Sequence, residues 1–144
     1  MLMDLEAALV DRLGEIAALR GVYGAADFGD LAKAGKGMPC AYVLYGGYSV
    51  TRNSDDGLQA QVEERWLVVL SIKHAGRAGA GPDPLRSAAS PLIRAVVDAL
   101  LGWTPGERGY QQLRLDSAPR PEYAAGHLLF PIAFRIAHVV RATI

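Results

Sequence analysis

At 144 residues, 51% of them hydrophobic and 21% charged, the chain has the size and composition of one globular domain with one core, which excludes a disordered segment. Its 15 Lys and Arg balance 15 Asp and Glu, so no net charge draws it to nucleic acid or to an anionic membrane, or keeps copies of it apart. Cys40 is the single cysteine, which excludes an internal disulfide and a thiolate zinc cluster; the start Met1-Leu2-Met3-Asp4 and the lack of a long apolar run point to a soluble protein made in a cytoplasm.

Asp4 is a candidate N-cap for a first helix carrying Leu5, Leu9, Leu13 and Ile16 at helical spacing, with Gly21 as its stop. The pattern then breaks around Gly24, Gly29, Gly35 and Gly37, so residues 22–39 read as an ordered loop with one short helical turn near 30–34. Residues 41–50 alternate as a strand, and simple alternation puts Tyr42 and Tyr48 on one face with Tyr45 opposite. Asn53-Ser54-Asp55-Asp56-Gly57 is a turn, and the strand that begins near Gln59 completes a long hairpin. Along residues 62–74, Val62, Trp66, Val68, Leu70 and Ile72 share one face, while Glu63, Arg65, Leu67, Val69, Ser71 and Lys73 share the other.

Residues 74–84 are glycine-rich and read as a crossing from sheet to helix. Asp83-Pro84 caps a second helix with an apolar stripe through Leu92, Ile93, Val96, Val97 and Leu100; Pro91 either bends it or marks its true start, and Gly102 closes it. A short strand at 111–116, a linker at Pro119 and Pro121, and a last strand at 126–140 follow. In that last strand Leu128, Phe130, Ile132, Phe134 and Ile136 face one way, and Leu129, Pro131, Ala133, Arg135, Ala137 and Val139 the other. Pro131 lacks a backbone donor and marks an edge or a bulge. The expected fold is α+β: a single two-layer domain over 1–144, an antiparallel four-stranded sheet with two helices on one face, in the order α-β-β-α-β-β. The far sheet face is too apolar for a wetted surface and too charged for a second core, so it points to a protein partner.

Chemistry is sparse. His74, His127 and His138 lie at a strand end, at a strand start and inside the last strand, without the helical spacing that grips a metal, so structural or surface roles are expected. Gly76, Gly79 and Gly81 precede a helix, but neither dinucleotide-binding nor P-loop spacing is present. There is no serine elbow, and Cys40 enters a strand as a small hydrophobe. Tyr42, Tyr45 and Tyr48 with Arg52 could stack single-stranded nucleic acid, but no basic groove accompanies them, so sheet packing or a protein interface is preferred. Trp103 reads as a plug over the end of the core. A rival reading from another class is a small cytoplasmic enzyme with a site built from His74, His127 and Glu64.

Pro39 to Val43, the long strand at 62–73, Ala99-Leu100-Leu101-Gly102-Trp103-Thr104-Pro105, and Pro121-Glu122-Tyr123 followed by 126–134 together resemble the tail terminator proteins of long-tailed bacteriophages. The resemblance covers almost the whole chain and rests on element order and the Gly-Trp-x-Pro helix end. It implies a non-enzymatic structural protein with no catalytic, cofactor-binding or metal-binding residues. Its members form a six-fold ring that caps the tail tube, ends tube growth and offers a surface to the neck of the filled head. The implied partners are other copies of the chain in a hexamer, the tail tube protein, and a neck or head-completion protein. DNA passes through such a ring, but no specific nucleic-acid binding and no membrane are expected. The implied location is the head-proximal end of the tail in the virion, after assembly in the host cytoplasm. A tail-completion or neck protein of similar fold is the alternative. Ring closure needs two different patches on each subunit. The half-apolar sheet face supplies Arg65, Leu67, Val69, Ala133 and Arg135 as candidates for the subunit contact. The hairpin tip and the glycine-rich loop supply Arg52, Asn53, Asp55, Asp56 and Arg77 for the tube or neck, as exposed segments expected to be mobile until docked.

Overall fold

Leu5, Leu9 and Leu13 recur at helical spacing, and the three side chains are buried together, which decides where the first helix sits. In the computed structural model, which describes residues 2–28, 38–73, 83–106, 109–124 and 126–143, α1 spans Glu6–Leu13. Its N-cap is Leu5, with no side-chain capping bond, and Gly14 ends it, so Asp4 and Gly21 do not bound the helix. Burial of Leu5 outweighs the hydrogen bond that a cap at Asp4 would add. The next elements are β1 (Val22–Tyr23), α2 (Ala25–Phe28), β2 (Cys40–Asn53), β3 (Gln59–Lys73), α3 (Asp83–Leu100), β4 (Arg114–Asp116), β5 (Glu122–Ala124) and β6 (His127–Arg141).

The four-stranded antiparallel sheet with two helices in the order α-β-β-α-β-β, expected from the sequence, is replaced among the described residues by a mixed six-stranded sheet with three helices. Its order is β1-β2-β3-β6-β4, with β5 also paired to β6. β1 lies parallel to β2 through Val22↔Ala41 and Tyr23↔Tyr42, and the other pairs are antiparallel. β1 and β5 are too short to show alternation, so only their neighbours define them as strands. The expected helical turn near 30–34 and the crossing at 74–82 lie outside the described residues; α2 and β1 occupy part of what read as loop. α3 runs through Pro91 as one helix and stops where Gly102 takes φ +80°, the left-handed conformation suited to a helix end.

β3 pairs along its full length with β6, from Gln59↔Arg141 to Lys73↔His127. Pro131 sits on β6 between the three residues that pair with β5 and the three that pair with β4, so its missing donor falls where the outer side of β6 has no neighbouring strand. The even-numbered residues of β3 and β6 face α1 and α3. Trp66 opposes Phe134 in register, each 1% exposed, at the centre of a cluster that includes Leu9, Leu70, Val96 and Leu100. Trp103 packs against this cluster, and Arg12 lies over its ring at 5.7 Å.

The tyrosines are arranged differently from simple alternation. Tyr45 pairs with Trp66 and Tyr48 with Glu64, so β2 spends one more residue than β3 between them, a bulge at Gly46-Gly47. Gly47 takes φ +92°, and a Cβ on Gly46 would lie 3.0 Å from the carbonyl oxygen of Arg65. The extra residue flips the later side chains, so Tyr45 and Tyr48 share the helix-side face and Tyr42 lies on the other.

Candidate functional site

Glu64 and His138 stand at even positions of β3 and β6 and therefore point into the helix-covered layer, where both are buried. Oε2 of Glu64 lies 2.8 Å from Nε2 of His138, and the backbone N–H of Met3 donates to Oε1 of Glu64 at 2.9 Å. Tyr110 stacks on the His138 ring at 4.3 Å. Burial holds the His138 pKa below its ordinary value, and the Glu64 carboxylate only partly offsets this. Burial, followed by the charge of Glu64, likewise raises the phenol of Tyr45. These groups are enclosed by the fold and act as an internal polar clasp between the N-terminal segment, β3 and β6.

The enzyme reading needed His127 beside Glu64. His127 pairs with Lys73 at the other end of β3, roughly 30 Å along the strand from Glu64, and its Nδ1 lies 3.1 Å from the Ser71 hydroxyl. His74 lies outside the described residues, and among the described residues no three His, Cys, Asp or Glu are gathered as metal ligands. No helix among them is long and apolar enough to cross a membrane.

The far sheet face is divided between cover from its own chain and open surface. At one end Cys40, Tyr42, Val69 and Leu129 form a second buried cluster, with Tyr23, Phe28, Met38 and Leu44 packed against it. Tyr42 meets Tyr23 and Phe28 at ring-centroid distances of 5.7 and 5.2 Å, and burial raises its phenol pKa. β1 and α2 are thus the second layer that the sequence left out. Val69 and Ala133, candidates for the subunit contact, are buried in the single chain at 6% and 0% exposure and leave little or no surface for a neighbour. Leu67 is half-buried, and Arg65 and Arg135 keep about two-fifths of their side-chain surface, 38% and 42%.

Beyond this cluster three arginines stand in a row. Arg65 opposes Arg135, and Arg135 opposes Arg114, across β3, β6 and β4. Arg65 donates to the carbonyl of Ser117 at 2.5 Å and lies 3.5 Å from Asp116, while Arg135 reaches Glu63 only at 3.8 Å. A groove of about 210 Å³ runs beside the row, lined by Gly46, Ser49, Glu63 and Asp116. Arg114 and Asp116 were not among the sequence candidates; their alternation with Leu113 and Leu115 is the signal that places them on this face.

The hairpin tip holds Asn53, Asp55 and Asp56 exposed, with Arg52 just before it. The turn is tied by its own hydrogen bonds rather than left loose: the Ser54 hydroxyl donates to Asp56 at 2.6 Å, and the backbone N–H of Leu58 donates to the same carboxylate oxygen at 3.0 Å. These donors hold the Asp56 carboxyl below its ordinary pKa. Arg77 lies outside the described residues.

A family model described as phage tail terminator protein matches residues 1–144. Among solved structures the chain is similar to one from the virion of a native gene transfer agent particle. The TM-score is 0.56 at 24% sequence identity, covering 94% of this chain and 95% of that one. At that identity the likeness shows the fold alone. No curated protein matches.

Proposed function

The chain belongs to the phage tail terminator family, and from that premise we propose that it caps the tail tube as a ring, ends tube polymerisation and offers the surface where the neck of the filled head joins. Family membership makes it a structural component of the virion tail, and the match over residues 1–144 is the observation that carries the reading. The role needs no reaction and no cofactor. We propose that the chain acts as one domain in a closed assembly, most simply a hexamer, at the head-proximal end of the tail, with the tube protein on one side and a neck protein on the other.

The subunit contact is proposed to use Arg65, Leu67 and Arg135, the candidates that keep exposed surface. Arg52, Asn53, Asp55 and Asp56 at the hairpin tip are proposed for the tube or neck, because the tip projects polar groups with little apolar bulk to hold them inward. Shortening the Asn53–Gly57 turn tests this: folding survives because β2 and β3 remain paired, whereas docking weakens. Electron microscopy of particles carrying the shortened chain then shows overlong tubes or finished tails unjoined to heads. Normal, fully joined tails would remove the tip from the mechanism.

A further inference from the structure

Charge is segregated between the two sides of this neutral chain. On the face away from α1 and α3, the registered strands place Arg52, Arg65, Lys73, Arg114, Arg135 and Arg141 against three acids, Glu63, Asp116 and Glu122. With a formal net charge of zero, the rest of the chain carries the balancing negative excess. Much of it gathers at α1, on the opposite side of the sheet, where Asp4, Asp11 and Glu15 are exposed around the single base Arg12. The arginine row is under-neutralised in the isolated chain. Like charges directly opposite one another on neighbouring strands repel. Among the described residues Arg114 has no ion-pair partner, and Arg135, with 42% of its side chain exposed, reaches its carboxylate, Glu63, only at 3.8 Å. A carboxylate supplied from outside the chain would relieve both.

We infer that the arginine row of Arg65, Arg135 and Arg114 receives the acidic outer face of α1 from a second copy of this chain, so that the repeating contact joins the sheet face of one subunit to the helix layer of the next. Two different patches of opposite sign on opposite sides of one subunit meet the requirement of a head-to-tail contact, which closes a ring when the rotation allows. A symmetric two-fold pairing would put the row against itself and repel. Opposite potentials also fix orientation and speed encounter more than they add raw affinity, so the contact should weaken with salt. This inference rests on the ring reading above and adds which surfaces meet.

Charge exchange tests it with the full chain. Arg114→Glu and Asp11→Arg each change one exposed side chain, and circular dichroism and thermal melting should show both variants folded as the wild type. Mass photometry with tube protein present should show each variant needing about tenfold more protein for half-assembly, equivalent to about 1.4 kcal/mol. An equimolar mixture of the two variants, or the double variant, should recover most of the loss, and high salt should weaken the wild-type assembly. A ring that forms equally well from Arg114→Glu, or a loss that Asp11→Arg fails to recover, overturns the inference and leaves the ring reading standing. Loss of duplex DNA retention by Arg114→Glu with assembly untouched also overturns it and assigns the row to nucleic acid. A wild-type chain that stays monomeric even with tube protein overturns the ring reading and this inference together.

Discussion

Glu64 and His138 place a carboxylate and an imidazole inside a layer otherwise built from Trp66, Phe134, Ile136 and their neighbours. The cost is met only in part: the Met3 amide donates to Oε1 of Glu64, Oε2 lies 2.8 Å from Nε2 of His138 without a well-aligned hydrogen bond, and Tyr110 stacks over the ring. Replacing Glu64 with Leu strands the Met3 amide and the imidazole, and should cost about 1–3 kcal/mol in chemical denaturation. The pH dependence has a definite sign. The folded His138 has a pKa below its ordinary value of 6.5, so as pH falls the unfolded chain takes up the proton first and stability drops. The contribution is therefore complete above about pH 6.5 and is lost as pH falls through the depressed folded value. His138→Gln should flatten that part of the stability profile, and an unchanged slope in the variant would assign the titration elsewhere. Phe134 tests the core itself: Phe134→Ala removes the partner of Trp66 and should cost about 3–5 kcal/mol, whereas a loss under about 1 kcal/mol would mean that the site collapses around the gap. The places of Trp66 and Phe134 were legible from alternation alone. Glu64 was not, because a carboxylate at an inward position reads as solvent-facing until the strand that carries its histidine is laid beside it.

At the scale of elements, the long strands and both main helices follow from hydrophobic period, and the departures have local causes. The bulge at Gly46-Gly47 reverses which tyrosines share a face, and two adjacent glycines were its signal in the sequence. Gly47→Val forces a branched residue into φ +92° and should destabilise the fold by about 1–2 kcal/mol, measured by thermal melting; no loss would mean that the bulge can shift to another residue. β1 and α2 escaped notice because two and four residues carry no usable period, and their worth lies in a tertiary contact, the packing of Tyr23 and Phe28 on Tyr42. They change the meaning of Val69. Read as an open interface position, it is instead beneath a layer of its own chain, so Val69→Glu should destabilise the monomer by about 3 kcal/mol or more rather than only block assembly. A folded monomer with that substitution would show that the β1–α2 layer is readily displaced.

For the whole molecule, what was legible was a neutral chain resembling a family of tail proteins, a resemblance that the family match bears out. The full element order was not legible, because β1, α2 and β5 are too short to show a period. Less legible was how one sheet face is shared between self-cover and open surface, because that depends on six strands finding their order. Leu67, Arg65 and Arg135 stay available while Val69 and Ala133 do not, and Arg114 joins the row only once β4 lies beside β6. On the proposed role, assembly is where these features become function, since a cap on the tube stops a polymer that would otherwise continue. Tail length is therefore the most direct measurement. Electron microscopy of particles assembled without this chain should show tubes of abnormal, mostly excessive length that remain unjoined to heads, with normal tails restored when the chain is supplied. Tails of normal length, joined to filled heads, in the absence of the chain would contradict the terminator role.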